Sequence, residues 1–313
     1  MNIVFMGTPE FAVASLDILV KNNYNIVGVV TVPDKPAGRG QQVQMSAVKK
    51  YALEKGLRVL QPEKLKSESF IEELKSLKAD LQIVVAFRML PEVVWDMPPL
   101  GTYNLHASLL PKYRGAAPIN WAVIQGDTKS GVTTFKLKHE IDTGNILFQE
   151  ETPISETTTA GQLHDTLMSI GAELVLKSVR AIESGNYTLH PQNDGESVHA
   201  PKLFKETCRI KWDRDVMAIY NLIRGLSPYP AAYTEFPDKN AQPVSIKIYR
   251  ALYELKSHTY KPGTVLSDGK NSLKVACING FIDIQELQLA GKKRMGIAEF
   301  LRGFNLPDSF SFF

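Results

Sequence analysis

Cysteine is almost missing from this chain. Cys208 and Cys277 are the two present in 313 residues, and each stands alone. They can build neither a disulfide framework nor a Cys-x-x-Cys metal or redox pair, and a reducing, cytoplasmic compartment is the expectation. The six histidines, at 106, 139, 164, 190, 199 and 258, show no His-x-x-x-His or His/Cys spacing, so no protein-bound metal is expected. Long apolar runs are also missing. Nothing approaches the roughly 20 residues of a membrane helix. The opening Met1-Asn2-Ile3-Val4-Phe5 is already strand-like and carries no signal-type pattern, so neither membrane association nor export is expected. The net charge of +3 is too small to identify an anionic partner, and any such argument must be local. No internal repeat or low-complexity tract is evident.

What remains is an ordinary globular composition on a chain long enough for two domains with separate cores. The first half alternates short β-branched runs, at 3–6, 26–32, 81–86, 103–106, 132–137 and 146–149, with helical spacing at 46–55 and 67–77. This is a βαβ rhythm. The runs at 25–30 and 81–86 are nearly continuous apolar, as strands of a parallel sheet covered on both faces should be. A long amphipathic helix over 159–182, with Leu163, Leu167, Ile170, Leu174 and Val175 on one side, closes this part from a Thr-rich capping start. From 184 to 207 the chain turns polar and is punctuated by Gly and Pro, as a linker is. After a short helix at 216–224, alternating stretches at 232–236, 244–251, 264–266, 273–276 and 281–287 point to a small antiparallel barrel. A five-stranded OB-like barrel is one candidate; such barrels often bind nucleic acid, and a purely structural barrel has the same pattern. The expected class is therefore α/β. A Rossmann-like, mostly parallel sheet domain over 1–183 is followed by a linker over 184–207 and a small OB-like β-barrel domain over 208–313.

A strand, then Gly7-Thr8-Pro9-Glu10, then the periodic Phe11, Val13, Leu16 and Leu19 make a strand-to-helix turn of the kind that holds nucleotides. A dinucleotide fingerprint needs three glycines, for the turn, the pyrophosphate and helix packing, and only Gly7 is there. Thr8 as N-cap and Pro9 at the first helical position account for the segment structurally. The turn still faces the carboxyl ends of the strands, where open α/β sheets bind ligands.

The chemistry concentrates further on. In the strand-like Gly101-Thr102-Tyr103-Asn104-Leu105-His106, residues 104 and 106 are two apart, so both side chains leave one face and can share a substrate. A loop follows, Ala107-Ser108-Leu109-Leu110-Pro111-Lys112-Tyr113-Arg114-Gly115, whose leucines have no periodic partner and can wall a flat ligand. After a helix over 118–125 and a strand, the turn Ile141-Asp142-Thr143-Gly144 can present Asp142 to the same pocket. Each piece alone has an ordinary structural explanation. Their order, Asn-x-His, Ser-Leu-Leu-Pro, Tyr-Arg-Gly, Asp-Thr-Gly, resembles the folate-dependent formyltransferase family. The resemblance implies Asn104, His106 and Asp142 as catalytic residues and 10-formyltetrahydrofolate as formyl donor.

Formyl transfer from a reduced folate to an amine needs a stabilised oxyanion and one relocated proton. Asn104 would donate its amide N–H to the formyl oxygen, His106 would stabilise the oxyanion and help pass the proton, and Asp142 would orient His106. No covalent intermediate is required, in keeping with the lack of a Ser or Cys nucleophile with its own base. The resemblance further implies that Ser108, Leu109, Leu110 and Pro111 contact the folate and that Phe87, Arg88, Met89 and Leu90, after the strand at 81–86, line the pterin pocket. Arg88 is a departure there, since many family members carry Tyr-Gly in that place. A surface arginine is the alternative reading of it.

The acceptor must be argued from other segments. Val32-Pro33-Asp34-Lys35-Pro36-Ala37-Gly38-Arg39-Gly40 opens a long loop extending to about residue 45, a length that is uncommon without function or disorder. Lys35 and Arg39, with Lys49 and Lys50 nearby, suit phosphate contact, and a plain solvated loop has the same composition. The text closely resembles an insertion in those family members that formylate the methionine of initiator methionyl-tRNA, where the loop engages the acceptor stem. Ala200-Pro201-Lys202-Leu203-Phe204-Lys205-Glu206 and Arg209-Ile210-Lys211-Trp212 resemble the same members' domain junction, which adds Lys202, Lys205 and the 208–313 domain as expected tRNA contacts. Gly225-Leu226-Ser227-Pro228-Tyr229-Pro230 and Gly291-Lys292-Lys293-Arg294-Met295 extend the resemblance over nearly the full chain. A formyltransferase for a sugar nucleotide or other small amine would keep the triad without needing the basic loop. A noncatalytic RNA-binding protein would not need the triad. The sequence shows no obvious exposed apolar stripe, so a monomer is expected.

Overall fold

The computed structural model describes residues 1–37, 42–237, 242–304 and 311–313. It divides into two compact units. One comprises Met1–Gly115, Ser130–Thr152 and His164–His199, the other Ala116–Lys129, Pro153–Leu163 and Ala200–Phe313.

The first unit begins with β1 (Asn2–Gly7), α1 (Glu10–Lys21) and β2 (Asn25–Val30). There follow β3 (Lys35–Ala37) and β4 (Gln42–Gln44), then α2 (Ala47–Glu54), β5 (Val59–Leu60), α3 (Glu68–Ser76) and β6 (Leu81–Val85). A short α4 (Glu92–Trp95) leads to β7 (Thr102–His106) and β8 (Arg114–Gly115). After α5 (Pro118–Ile124), which belongs to the second unit, come β9 (Lys129–Lys136), β10 (Ile146–Pro153), α6 (Ala160–Ser184) and β11 (His199–Ala200).

Seven of these strands form one sheet in the order β10-β9-β7-β6-β1-β2-β5. The pairs β1–β2, β1–β6, β2–β5 and β6–β7 are parallel, and β9 is antiparallel to β7. Of the two apolar runs that suggested strands covered on both faces, 81–86 is β6, with Leu81 to Val85 all buried, and 25–30 is β2, with Ile26, Val29 and Val30 buried; Ile3, Val4, Phe5 and Met6 of the neighbouring β1 are buried as well. Each such aliphatic or aromatic side chain contributes roughly 1.5–3 kcal/mol on leaving water. The chain runs from β1 outward to β2 and β5, then returns to β6 on the other side of β1. That reversal opens a crevice beyond the carboxyl ends of β1 and β6, the usual ligand position in open α/β sheets.

Several expectations shift in detail. Helix α1 starts at Glu10, with Pro9 in the extended N-cap conformation and no side-chain cap. Thr8 is therefore not the cap, and among the described residues its buried hydroxyl has no hydrogen-bond partner. The loop beyond residue 32 is not wholly irregular, because β3 and β4 pair antiparallel. Strands of two or three residues are too short to show a period, which is why β3, β4 and β5 escaped the sequence pattern. The Thr-rich start of α6 does cap. Thr159 Oγ1 accepts from Gln162 N at 3.2 Å while Gln162 Oε1 accepts from Thr159 N at 2.9 Å, a reciprocal capping box.

In the second unit, α7 (Val216–Leu226) is capped by Asp215, whose carboxylate accepts from Met217 N at 2.8 Å. An antiparallel sheet follows, built of β12 (Ala232–Pro237), β13 (Pro243–Leu255), β14 (Val265–Ser267), β15 (Leu273–Ala276), β16 (Gly280–Leu289) and β17 (Met295–Gly296), and then α8 (Ile297–Gly303). The order is β12-β13-β16-β15-β14, with β17 on β16. Register shifts around Arg250 interrupt the long β13–β16 ladder, and such bulges bend a strand. The result is a curled, barrel-like sheet around Trp212, Ile223, Phe236, Ile248, Ile284 and Leu287. Cys208 and Cys277 are free and buried in this core. Among the described residues no helix is long and apolar enough to cross a membrane.

Candidate active site

β7 carries Asn104 half-buried and His106 buried. The alternation of a strand puts both on one face. The half-buried Asn104 amide is within reach of a ligand on that face. His106 is held at one nitrogen. Its Nε2 lies 2.8 Å from the carbonyl oxygen of Tyr113, which can only accept, so Nε2 bears a hydrogen. Its Nδ1 lies 3.9 Å from Asp142 Oδ2. At that distance the Asp142 carboxylate faces Nδ1 without a direct hydrogen bond to it.

Asp142 reaches this position through an unusual turn. Its backbone is left-handed, with φ of 53°, a conformation that costs about 1–3 kcal/mol and persists only where the surroundings enforce it. Three contacts do so. Gly115 N donates to Asp142 Oδ2 at 3.0 Å. Gln192 Nε2 donates to the carbonyl oxygens of Asp142 and Gly144, both at 2.8 Å. Gly144 itself lies so close to β9 that a Cβ there would sit 1.7 Å from Lys136 O. Gln192 is in turn fixed by Arg114, whose Nε and Nη2 donate to its Oε1 at 3.0 and 2.6 Å. Arg114 also pairs with Asp194 at 2.7 Å. The sequence offered no sign of Gln192, which falls in the aperiodic segment read as linker.

The loop after β7 is built rather than loose. Thr133 on β9, in register with His106, donates from Oγ1 to Ser108 O at 2.7 Å and accepts from Leu110 N at 3.1 Å. Gln149 Nε2 donates to Leu110 O at 2.9 Å. Ser108 and Leu110 are buried, and the Ser108 hydroxyl donates to Lys112 O at 2.6 Å. Leu109 and Pro111 are half-buried. Within 108–111 the side chains that remain open to a ligand are therefore Leu109 and Pro111, not Ser108.

Beyond β6, Ala86 has a left-handed φ of 47°. Phe87 and Arg88 are half-buried, Met89 is 72 % exposed and Leu90 is buried. Arg88 is not a free surface arginine. Its Nη2 and Nη1 donate to Pro62 O at 2.8 Å and Glu63 O at 3.1 Å, and its guanidinium lies over the Phe87 ring at 5.3 Å. Burial pushes its pKa down, and among the described residues its buried Nε has no partner. Folding back onto 62–63 keeps the long side chain anchored beside the strand ends.

The cations suggested for phosphate contact are scattered. Lys35 is exposed. Arg39 lies outside the described residues. Lys49 is not free, since its ammonium pairs with Asp34, whose carboxyl is thereby held below the usual carboxylate range. In the second unit Lys202 sits over the ring of Phe204 and Lys205 over that of Tyr233. Among the described residues no group of His, Cys, Asp and Glu could hold a metal ion.

A mostly parallel sheet with a polar Asn-His-Asp arrangement on its antiparallel flank, followed by a curled β-domain, defines a class of two-part transferases. Residues 1–179 match the model of the formyl transferase family and residues 202–305 that of the formyl transferase C-terminal domain. The chain belongs to the formyl transferase family. It is 56 % identical over 314 residues to a methionyl-tRNA formyltransferase of Bacteroides fragilis, covering 99 % of this chain and 97 % of that one. To the methionyl-tRNA formyltransferase of Flavobacterium johnsoniae it is 56 % identical over 309 residues, covering 98 % of each. Among solved structures it is similar to WlaRD, a sugar 3N-formyl transferase, with a TM-score of 0.66 and 21 % identity over 94 % of this chain and 99 % of that one. HypX of Aquifex aeolicus in complex with tetrahydrofolic acid gives a TM-score of 0.65 at 18 % identity over 99 % of this chain and 50 % of that one. At these identities the two structures speak to the fold alone.

Proposed function

We propose that the protein transfers the formyl group of 10-formyltetrahydrofolate to the α-amino group of methionine on initiator methionyl-tRNA, giving N-formylmethionyl-tRNA for translation initiation. The observation that carries this reading is near full-length identity of 56 % to proteins of that name, together with a triad geometry suited to the reaction.

The donor is assigned to the crevice at the ends of β1 and β6. The orphaned hydroxyl of Thr8 on one side and the exposed backbone turn at Ala86 on the other fit a polar, flat heterocycle. Phe87, Arg88, Met89 and Leu90 flank it on that side, and Leu109 and Pro111 supply apolar surface; Ser108 and Leu110 contribute through the backbone that Thr133 fixes. In the reaction, a C–N bond forms between the methionine nitrogen and the formyl carbon, the bond from that carbon to the folate nitrogen breaks, and one proton passes from the amine to the folate nitrogen. Asn104 donates its amide N–H to the formyl oxygen. His106, its Nε2 fixed by the Tyr113 carbonyl, uses Nδ1 to stabilise the oxyanion and to pass the proton, and the Asp142 carboxylate beside Nδ1 orients and polarises the ring. The amine of an aminoacyl ester needs little activation, because its pKa is no higher than the α-amino reference of about 7.7–8.0. Lys35, Arg39, Lys202, Lys205 and the curled β-domain are assigned to the tRNA, where cations position the backbone without reading sequence. The two buried free thiols suit a cytoplasmic setting, and the protein acts as a monomer.

Purified protein supplied with 10-formyltetrahydrofolate is offered either charged methionyl-tRNA or a free amine. Formylation of the tRNA, and a loss of about 100-fold or more in His106→Ala with tRNA binding retained, are the expected outcomes. Preference for the free amine overturns the acceptor assignment, and turnover near the parental value in His106→Ala overturns the mechanism.

A further inference from the structure

The segment just after β5 is gripped from two sides. On one side Arg88 donates to Pro62 O and Glu63 O. These bonds tie down the turn after β6, where the non-glycine Ala86 is held at a φ of 47°. On the other side Gln61 Nε2 donates to Val32 O and to Asp34 Oδ1, both at 2.8 Å. Asp34 is also bound to Lys49 on α2, and Ser46 at the start of α2 bonds Thr31 at 2.8 Å. Residues 32–34 lead directly into β3, the described base of the long basic loop.

We propose that residues 61–63 are a strut shared by the donor-side turn at 86–90 and the base of the acceptor-side loop at 32–35, with Arg88 as the positioning residue that locks both onto it. This deepens the function proposed above and rests on it. Arg88 does not touch the reacting atoms. Its guanidinium enforces the strained turn at Ala86, and the carbonyls it grips belong to the two residues following Gln61. Release of Arg88 therefore relaxes the donor-side turn directly and the loop base through Gln61. An arginine in this place does what glycine cannot, and Lys retains only part of it, because a single ammonium cannot span two successive carbonyls in a fixed fork.

The test uses the full-length protein as Arg88→Met, Arg88→Lys and Gln61→Leu. Arg88→Met is expected to raise KM for 10-formyltetrahydrofolate about tenfold, the effect of losing one or two charge-assisted hydrogen bonds. KM for methionyl-tRNA rises about threefold and kcat at saturation stays within about twofold, while Arg88→Lys recovers part of the loss. Amide exchange at 32–35 accelerates in Arg88→Met, and exchange at 86–88 accelerates in Gln61→Leu. A rise in donor KM alone with unchanged exchange at 32–35 overturns the shared strut, as does no change in either KM. Should Arg88→Met not fold, Arg88→Lys and Gln61→Leu carry the same comparison, and an unchanged acceptor KM in Gln61→Leu overturns the proposal. If the parent protein formylates no tRNA, the functional reading fails, and the exchange measurement still decides the strut.

Discussion

Replacing Gln192 by Leu removes a residue that touches no reacting atom and yet holds Asp142. The side chain makes two neutral bonds, to Asp142 O and Gly144 O at 2.8 Å each, and accepts two from Arg114. The first two are worth about 1 kcal/mol each, with a further penalty for leaving half-buried carbonyls unpaired. Loss of the second pair counts for less, because Arg114 keeps Asp194, which is itself largely exposed. The sum is about 2–4 kcal/mol of stability, or a fall in Tm of roughly 5–15 °C for a unit of this size. The catalytic effect has a separate origin. Asp142 sits at a φ of 53°, and without Gln192 that turn relaxes away from His106. A displacement of about 1 Å at a catalytic group costs on the order of 100-fold, so kcat should fall about 10- to 100-fold while KM for donor and acceptor stays near the parental values. Steady-state formylation measured well below the melting transition, beside a thermal melt, reads both. A lowered Tm with parental kcat would show that the turn keeps its shape without Gln192 and would refute the reasoning.

Asp268 Oδ1 accepts from the backbone N–H groups of Lys270, Asn271 and Ser272 at 2.8–2.9 Å, which hold its pKa down to about 2. Because the folded value is depressed, its stabilisation is complete above the unfolded value of about 3.9 and is lost as pH falls through about 2; an NMR titration of that carboxyl with a midpoint near 4 would contradict the geometry. Cys277 is fully buried with its thiol pushed up to about 12, and burial raises Cys208 as well. Thiol reagents at pH 8 should therefore label both only at the rate of unfolding, and rapid labelling of the native protein would be the contrary result.

Local pattern was enough for the elements that are long and covered on both faces. The 25 residues of α6 and the alternation in β12 to β16 carry a period that one backbone conformation satisfies, while the short β-branched apolar runs of β2 and β6 are told from helix by their length and composition. The same two-residue period placed Asn104 and His106 on one face of β7. Order along the chain then tied them to Asp142, because motif order survives in sequence even where distance does not. In the first unit the short strands were not legible. β3, β4 and β5 are too brief to show a period, and α1 begins one residue later than its Thr-Pro start suggested because Pro9 takes the extended cap position.

Sequence by itself determined the family and the frame, a mostly parallel α/β domain followed by a β-domain, and through motif order it proposed an amide, an imidazole and a carboxylate for the site. Tertiary structure decided what each side chain is free to do. Gln192 and Asp142 are 50 residues apart, so no local pattern could pair them. Ser108 turned inward because Thr133 and Lys112 engage its loop, and Lys49 was withdrawn from the loop's charge by Asp34. Arg88, ambiguous as text, became a clamp once the fold brought two carbonyls within reach of its fork. The physical reason is the same each time. Periodicity encodes which face of an element is buried, whereas hydrogen-bond partners depend on chain segments that only packing brings together.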